Sequence, residues 1–348
     1  MKCSAKTARR DNLRRTGAGF FVLMPFVPLL PFVLAALCGS ALPQETTLRS
    51  QSNIVLIPAL VKDQQGGIVY GLQAKDFIVE DDGVEQPARL DDAPEGQPIS
   101  LVVVIQRGRR AYAEFPRMNG LKSMLDPLFG LGTARVAVVE FDSQVDLTRN
   151  FTRDESLVDD DLRNLQPGDE GAGILDAVEY SVHLLTQEPE DRQRVLLLIS
   201  ETRDHGSLVK IDDVVKAIGE SNAVMYALAF SPALSNILDT ERGNNMNEMH
   251  EGVNFLDLAY RMAEAMKKNV PSTVASMTGG EYELFATKKK FDVRMNDFTN
   301  HLHSRYLLSF APKSPRPGLH QIRVRLRDAG NGSVLARSTY WAEGQKQK

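Results

Sequence analysis

The chain has 348 residues, enough for about two domains with buried cores, and its 43% hydrophobic and 25% charged content excludes a wholly disordered, collagen-like or polytopic membrane chain. Lys2, Lys6, Arg9, Arg10, Arg14 and Arg15 face only Asp11 before residue 42, a leader of net +5 that, within the total of −4, leaves −9 on residues 42–348. An acidic body repels phosphate backbones, so sequence-independent nucleic-acid binding is not expected.

Behind the basic start, residues 20–37 are 18 consecutive apolar or proline positions, followed by the small Gly39, Ser40 and Ala41. This predicts a signal peptide over 1–41, cleaved after Ala41, and a secreted or periplasmic body. An uncleaved leader would be an N-terminal anchor, a reading that Pro25, Pro28 and Pro31 weaken; after cleavage no membrane contact is expected. Twin-arginine and lipoprotein signals fit poorly, because Asn12 stands where the first needs an apolar residue and the bulky Leu37 precedes Cys38. Cys3 and Cys38 both lie in the leader, so the mature chain would carry no disulfide and no thiolate ligand.

The body begins with β signals. Residues 54–61 read as a strand followed by turn chemistry at 63–67, and strands at 77–80 and 84–90 flank Asp81-Asp82-Gly83. Over 98–304, continuous apolar runs at 101–105, 134–141, 195–200 and 223–230 read as strands buried on both faces. Helical periodicity fills the gaps at 118–129, 155–165, 174–185, 211–220, 255–277 and 291–304. The alternation predicts an α/β fold with a doubly wound, mostly parallel sheet and ligands at its strands' carboxyl ends. Strands return at 306–310, 320–327 and 334–341. In 320–327 the arginines Arg323, Arg325 and Arg327 alternate with Ile322, Val324 and Leu326, which reads as a solvated strand face. Segments 48–94 and 305–342 are each too short to bury a core, so they are expected to pair as one small β-sandwich into which the α/β domain is inserted.

The order of LVVVI at 101–105, ARVAVVEFDS at 134–143, GAGILDAVEY at 171–180 and VLLLISETRDHGS at 195–207 resembles a von Willebrand factor A domain. The flanking FIVEDDGVEQP at 77–87, Thr278-Gly-Gly280, RYLLSF at 305–310 and PGLH at 317–320 look like the related proteins abundant in acidobacterial secretomes, and the resemblance covers most of 48–342. It implies a metal-ion-dependent adhesion site built from Asp-x-Ser-x-Ser, a Thr and an Asp, whose oxygens hold a hard cation and leave one position for a partner's carboxylate. The matching residues are Gln106, Gly108, Arg110, Ala172 and Glu201, of which Glu201 alone keeps a carboxylate and none a hydroxyl. Arg107, Arg109 and Arg110 add positive charge there, so the metal site is read as degenerate, with no metal and no cofactor. A guanidinium from Arg107 or Arg110 is expected to sit against Glu201 in the cation's place.

Other constellations have plainer readings. Gly171-Ala-Gly173 with Asp176 lacks the third glycine of a dinucleotide loop and reads as a helix start. In His250-Glu251-Gly-Val-Asn254, Asn254 occupies the place of a zinc protease's second histidine. His301 and His303, two apart, fall on different helix faces and read as helix-end packing or capping. Glu80, Asp81 and Asp82 could bind calcium, yet a hairpin turn explains them without a ligand cage, and Lys288 to Lys290 read as a solvated helix start. No nucleophile–base–acid set has positional support, so the expected function is a non-enzymatic protein–protein interaction or adhesion-like module with an unidentified partner in the envelope or outside the cell. The alternative is a secreted enzyme using Glu201, Asp204 and His205 at the sheet top; a deep cleft there would mark an enzyme and a shallow face a binder.

Overall fold

The computed structural model describes residues 54–91, 97–109, 111–130, 132–230, 255–313, 315–328, 330 and 332–343. The leader, Arg110 and the motif from His250 to Asn254 lie outside the described residues.

Strands β1 (Val55–Lys62), β2 (Phe77–Asp81), β3 (Val84–Gln86) and β4 (Arg89–Asp91) open the chain. There follow β5 (Ile99–Gln106), α1 (Leu121–Gly130), β6 (Arg135–Phe141), β7 (Val145–Thr152), α2 (Glu155–Arg163), α3 (Ile174–Thr186), β8 (Gln193–Ser200), α4 (Ile211–Glu220) and β9 (Val224–Phe230). The chain continues with α5 (Phe255–Lys268), α6 (Val270–Thr278), β10 (Tyr282–Phe285) and α7 (Lys288–Leu302), then β11 (Tyr306–Phe310), β12 (Gly318–Leu326), β13 (Ser333–Ala336) and β14 (Thr339–Ala342).

The central sheet has six strands in the order β10-β9-β8-β5-β6-β7, all parallel except β7 at one edge. Every residue of β5 is buried. Alternate residues serve two cores: Val102, Val104, Ala137 and Leu196 pack with α3 to α6, while Leu101, Val103, Val136 and Leu197 pack with α1 and α7. Two-sided burial explains the uninterrupted apolar runs, since neither face of the strand meets water.

The N- and C-terminal strands interleave in two antiparallel sheets, β13-β1-β11-β4 and β14-β12-β2-β3. Ile57, Ala59, Phe77, Val79, Leu308, Phe310, Ile322 and Tyr340, drawn from both sheets and both ends of the chain, belong to one buried cluster. On β12, Arg323 and Arg325 reach Glu80 and Arg327 reaches Glu85, so the arginine stripe makes cross-strand ion pairs with β2 and β3.

The structure redraws several expected elements. The helix expected over 255–277 is two, because Asn269 leaves helical geometry, its side chain accepts the Ser272 N–H at 3.0 Å, and Pro271 sits in the first turn of α6. That second helix stops at Gly279, whose φ of 77° suits glycine and where a Cβ would lie 2.4 Å from Arg337 N. The strand expected over 84–90 breaks at Pro87, sending β3 and β4 to different sheets. The strand expected over 334–341 likewise breaks at Arg337-Ser338 and changes sheet. Strand β7 escaped the sequence pattern because it is a half-buried edge bearing Asp146 and Arg149, and β10 because it is only four residues long.

At the break between β13 and β14, Arg337 is 4% exposed and donates to the carbonyls of Thr339 at 2.6 Å and Gly219 at 2.6 Å, and to Asn222 Oδ1 at 3.1 Å. Burial pulls this guanidinium down to about 10. It ties the end of α4 to the β strands.

Candidate functional site

The loops after β5, β6 and β8 and the loop that leads into α3, four in all, come together at the carboxyl ends of these parallel strands. Gly108 lets them touch: a Cβ there would lie 2.0 Å from Gly171 O and 2.8 Å from Asp142 Cβ. The approach is fixed by Arg107 N–H donating to Phe141 O at 2.8 Å, Gly168 N–H to Arg107 O at 2.9 Å and Gly173 N–H to Asp142 O at 2.7 Å. The loop before α3 pairs with the loop after β8 through two bonds of 2.8 Å between Ala172 and His205. As expected, Gly171 to Gly173 lead directly into a helix, α3, with Gly173 at its N-cap.

Four of the five positions matched to the adhesion-site pattern converge here. Gln106, 1% exposed, donates from Nε2 to Glu201 Oε1 at 3.0 Å and accepts the Glu201 N–H on its own Oε1 at 2.8 Å. Gly108 and the fully buried Ala172 supply no side-chain oxygen. The fifth position, Arg110, is outside the described residues.

The cation beside Glu201 is not Arg107. Arg109 places Nε 2.9 Å from Glu201 Oε1, although its N–H is not aimed at the oxygen, making the contact an ion pair without a hydrogen bond. Arg109 reaches this place with φ at 56°, a conformation that costs a non-glycine residue about 1–2 kcal/mol, while its backbone N–H donates to Asp169 O at 2.6 Å. Arg107 turns the other way, its Nε donating to Asp142 Oδ2 at 2.9 Å, with Asp146 and Glu140 also within ion-pair reach. Burial opposes its charge, but Asp142, Asp146 and Glu140 together hold the guanidinium above its ordinary range. Burial, with the Asp161 and Asp146 carboxylates, in turn raises the Glu140 carboxyl against the lowering by Thr148 and Arg107.

Sequence reasoning missed Asp142, Asp146 and Asp169 as partners. Asp169 accepts from Ser143 N and Gly171 N at 3.0 and 2.7 Å and from Ser143 Oγ, and these bonds hold it below the usual carboxylate range. The available signal was acidic residues directly after a buried strand, at Asp142, and between glycines, at Asp169.

The three residues of the enzymatic alternative have separate surroundings. Asp204 accepts Leu175 N–H at 3.0 Å and Ser207 Oγ–H at 2.6 Å, satisfying an orphan amide at the start of α3. His205 contributes its backbone to the Ala172 bridge, and its side chain is exposed. Cavities of about 310 Å³, beside Gly219 and Trp341, and about 390 Å³, beside Met118 and Asp126, are lined by neither 106–110 nor 201–205. Farther along the same loop, Asp176 accepts the N–H groups of Leu208 at 2.9 Å and Val209 at 2.8 Å, which fixes the backbone that presents Leu208, 91% exposed.

The two histidines at the end of α7 have separate roles. His301 is buried with Nδ1 2.7 Å from Glu281 Oε2, while His303 caps the helix and burial lowers its pKa. At the other end, Thr287 caps α7 by accepting Lys290 N–H, and the exposed lysine triplet forms the helix start that the sequence suggested, ahead of the periodic run from 291.

No family model and no curated protein matches the chain. Among solved structures, proximal thread matrix protein 1 from the mussel byssus is similar at 10% identity and TM-score 0.41 over 59% of this chain, which spans about half (48%) of that one. BatB from Bacteroides thetaiotaomicron is similar at 15% identity and TM-score 0.40, covering 59% of this chain and 98% of its own. The vWF domain of the type V pili tip protein Mfa5 from Porphyromonas gingivalis is 18% identical at TM-score 0.27, covering 31% of this chain and 38% of its own.

Proposed function

We propose that the chain is an extracytoplasmic, non-enzymatic interaction module of von Willebrand A type, whose sheet-top loops bind a protein partner without a metal. The observation that carries this reading is Leu208, an apolar side chain 91% exposed on a loop whose backbone is fixed by Asp176. An apolar residue on a backbone already fixed suits an interface contact, since little ordering entropy is left to lose on binding. The neighbouring charges support the same reading. Gln106 and Arg109 both contact Glu201 Oε1, and Arg107 is engaged by Asp142, a charge pairing within the loops that supports a preformed surface. The donor set does not suit the family's hard cation, because Gly108 and Ala172 lack side-chain oxygens and a guanidinium stands at the remaining carboxylate.

The basic, apolar and small-residue order of 1–41 supports export with loss of the leader. Mass spectrometry of exported protein checks this, an intact amino terminus being the contrary result. The binding test captures envelope partners with the wild type and with Leu208→Asp, each with and without added magnesium. Partners lost with Leu208→Asp and indifferent to magnesium support the reading; partners retained by that variant, or dependent on magnesium, overturn it.

A further inference from the structure

Away from the sheet-top loops, the turn after β2 meets the start of β12. Asp81 ends β2, Asp82 turns the chain with φ at 48°, and the pairing of Ile322 with Asp81 brings His320 beside both carboxylates. His320 is 5% exposed and stacks on Tyr340, with ring centroids 4.9 Å apart. One ligand-type atom from each of Asp81, Asp82 and His320 lies within 4.8 Å of the others.

We infer that Asp81, Asp82 and His320 form a binding site for a first-row divalent cation, with zinc the best match to the ligand set. The spacing agrees with that use. His320 Nδ1 is 2.9 Å from Asp82 Oδ2 and 3.7 Å from Asp81 Oδ1. A cation with bonds of about 2.1 Å separates adjacent ligand atoms by roughly 3 to 3.5 Å, so small side-chain adjustments would seat it among the three.

The surrounding hydrogen bonds are those that orient metal ligands. His320 Nε2 lies 2.7 Å from the Arg316 carbonyl, which can only accept. With Nε2–H held on that carbonyl, a ring that gave up its Nδ1 proton would turn the Nδ1 lone pair toward the carboxylates, the arrangement a ligating histidine needs. Gln321 N–H holds Asp82 Oδ1 at 3.0 Å, and the Tyr340 hydroxyl donates to the Asp81 carboxylate at 3.1 to 3.2 Å. Each ligand thus has a partner that fixes its direction. Two carboxylates and a neutral imidazole carry two negative charges, which a divalent ion cancels; one nitrogen among oxygens suits zinc or its first-row neighbours better than magnesium or calcium. Without the ion, a proton on Nδ1 bonding to Asp82 fills the gap, so the cation enters by displacing that proton. Glu80, grouped with these aspartates in sequence, is turned to Arg325 on the adjacent strand.

The test is calorimetric titration of the full chain with Zn²⁺, alongside thermal unfolding with and without the ion. Cys3 and Cys38 of the leader are changed to serine in every sample so that thiolates do not compete. Saturable one-to-one binding is expected, with a rise in the unfolding midpoint. Binding should weaken at least about tenfold in Asp82→Asn and in His320→Gln, and about tenfold in Tyr340→Phe, which leaves the three ligands intact. Asparagine tolerates the left-handed backbone of residue 82, so Asp82→Asn keeps the turn. Glu80→Gln should bind as the wild type does. No binding at 100-fold molar excess of Zn²⁺, or binding equal in the wild type, Asp82→Asn and His320→Gln, overturns the inference.

Discussion

Gln106 and Glu201, at the ends of adjacent parallel strands, exchange two hydrogen bonds of 3.0 and 2.8 Å, so the single carboxylate left in the adhesion-site pattern is held by an amide in the same chain. Gln106 is almost wholly buried, and shortening it would strand the Glu201 N–H and leave Oε1 to Arg109 alone. Gln106→Ala is expected to cost about 2 kcal/mol of stability, read from urea unfolding.

A double-mutant cycle separates the arginines around this pair. Arg109→Ala and Glu201→Ala should couple by up to about 1 kcal/mol, because the contact is short but the Arg109 side chain is 36% exposed and its N–H is not aligned. Arg107→Ala and Glu201→Ala should show no coupling, since Arg107 is committed to Asp142. Larger coupling to Arg107 than to Arg109 would contradict the geometry.

Divalent ions should ignore Glu201. Calorimetry with magnesium and calcium is expected to give no binding that Glu201→Ala abolishes, because the Arg109 guanidinium beside Glu201 Oε1 carries like charge to the ion and Gly108 and Ala172 bring no further oxygens.

Gly108→Ala should destabilise by about 1–3 kcal/mol or more, since the added methyl meets the Gly171 carbonyl at 2.0 Å and backbone must move to admit it. Chemical denaturation measures the loss. Ala172→Gly, at the neighbouring loop, adds no such clash and serves as the comparison.

Acid should weaken the attachment of β1 to the α/β part. Burial alone would raise the Glu281 carboxyl, but the His301 hydrogen bond and the Lys62 ammonium bring it down to about 2 from 4.5. A depressed carboxylate stabilises the fold above its unfolded value, so this contribution is present above about pH 4.5 and lost as pH falls toward 2. It amounts to roughly 3 kcal/mol if the full shift is realised. Glu281→Gln should flatten the pH dependence of the unfolding free energy over that window; an unchanged slope would contradict the ion-pair assignment.

The sequence by itself determined the central sheet's interior, since β5, β6, β8 and β9 are buried on both faces and such strands require unbroken apolar runs. It also determined which oxygens the sheet-top loops lack, because that follows from residue identity alone at 108 and 172. The terminal strands announced themselves as strands, but alternation carries no information on partners. Pairing decided that Pro87 and Arg337-Ser338 would send the chain from one sheet to the other. Only the tertiary structure chose between Arg107 and Arg109 at Glu201: the two are equivalent in composition, and the left-handed backbone at residue 109, with Asp142 drawing Arg107 aside, turns Arg109 toward the carboxylate. His320 likewise meets Asp81 and Asp82 across some 240 residues of chain, a contact set by strand register, which no local pattern encodes.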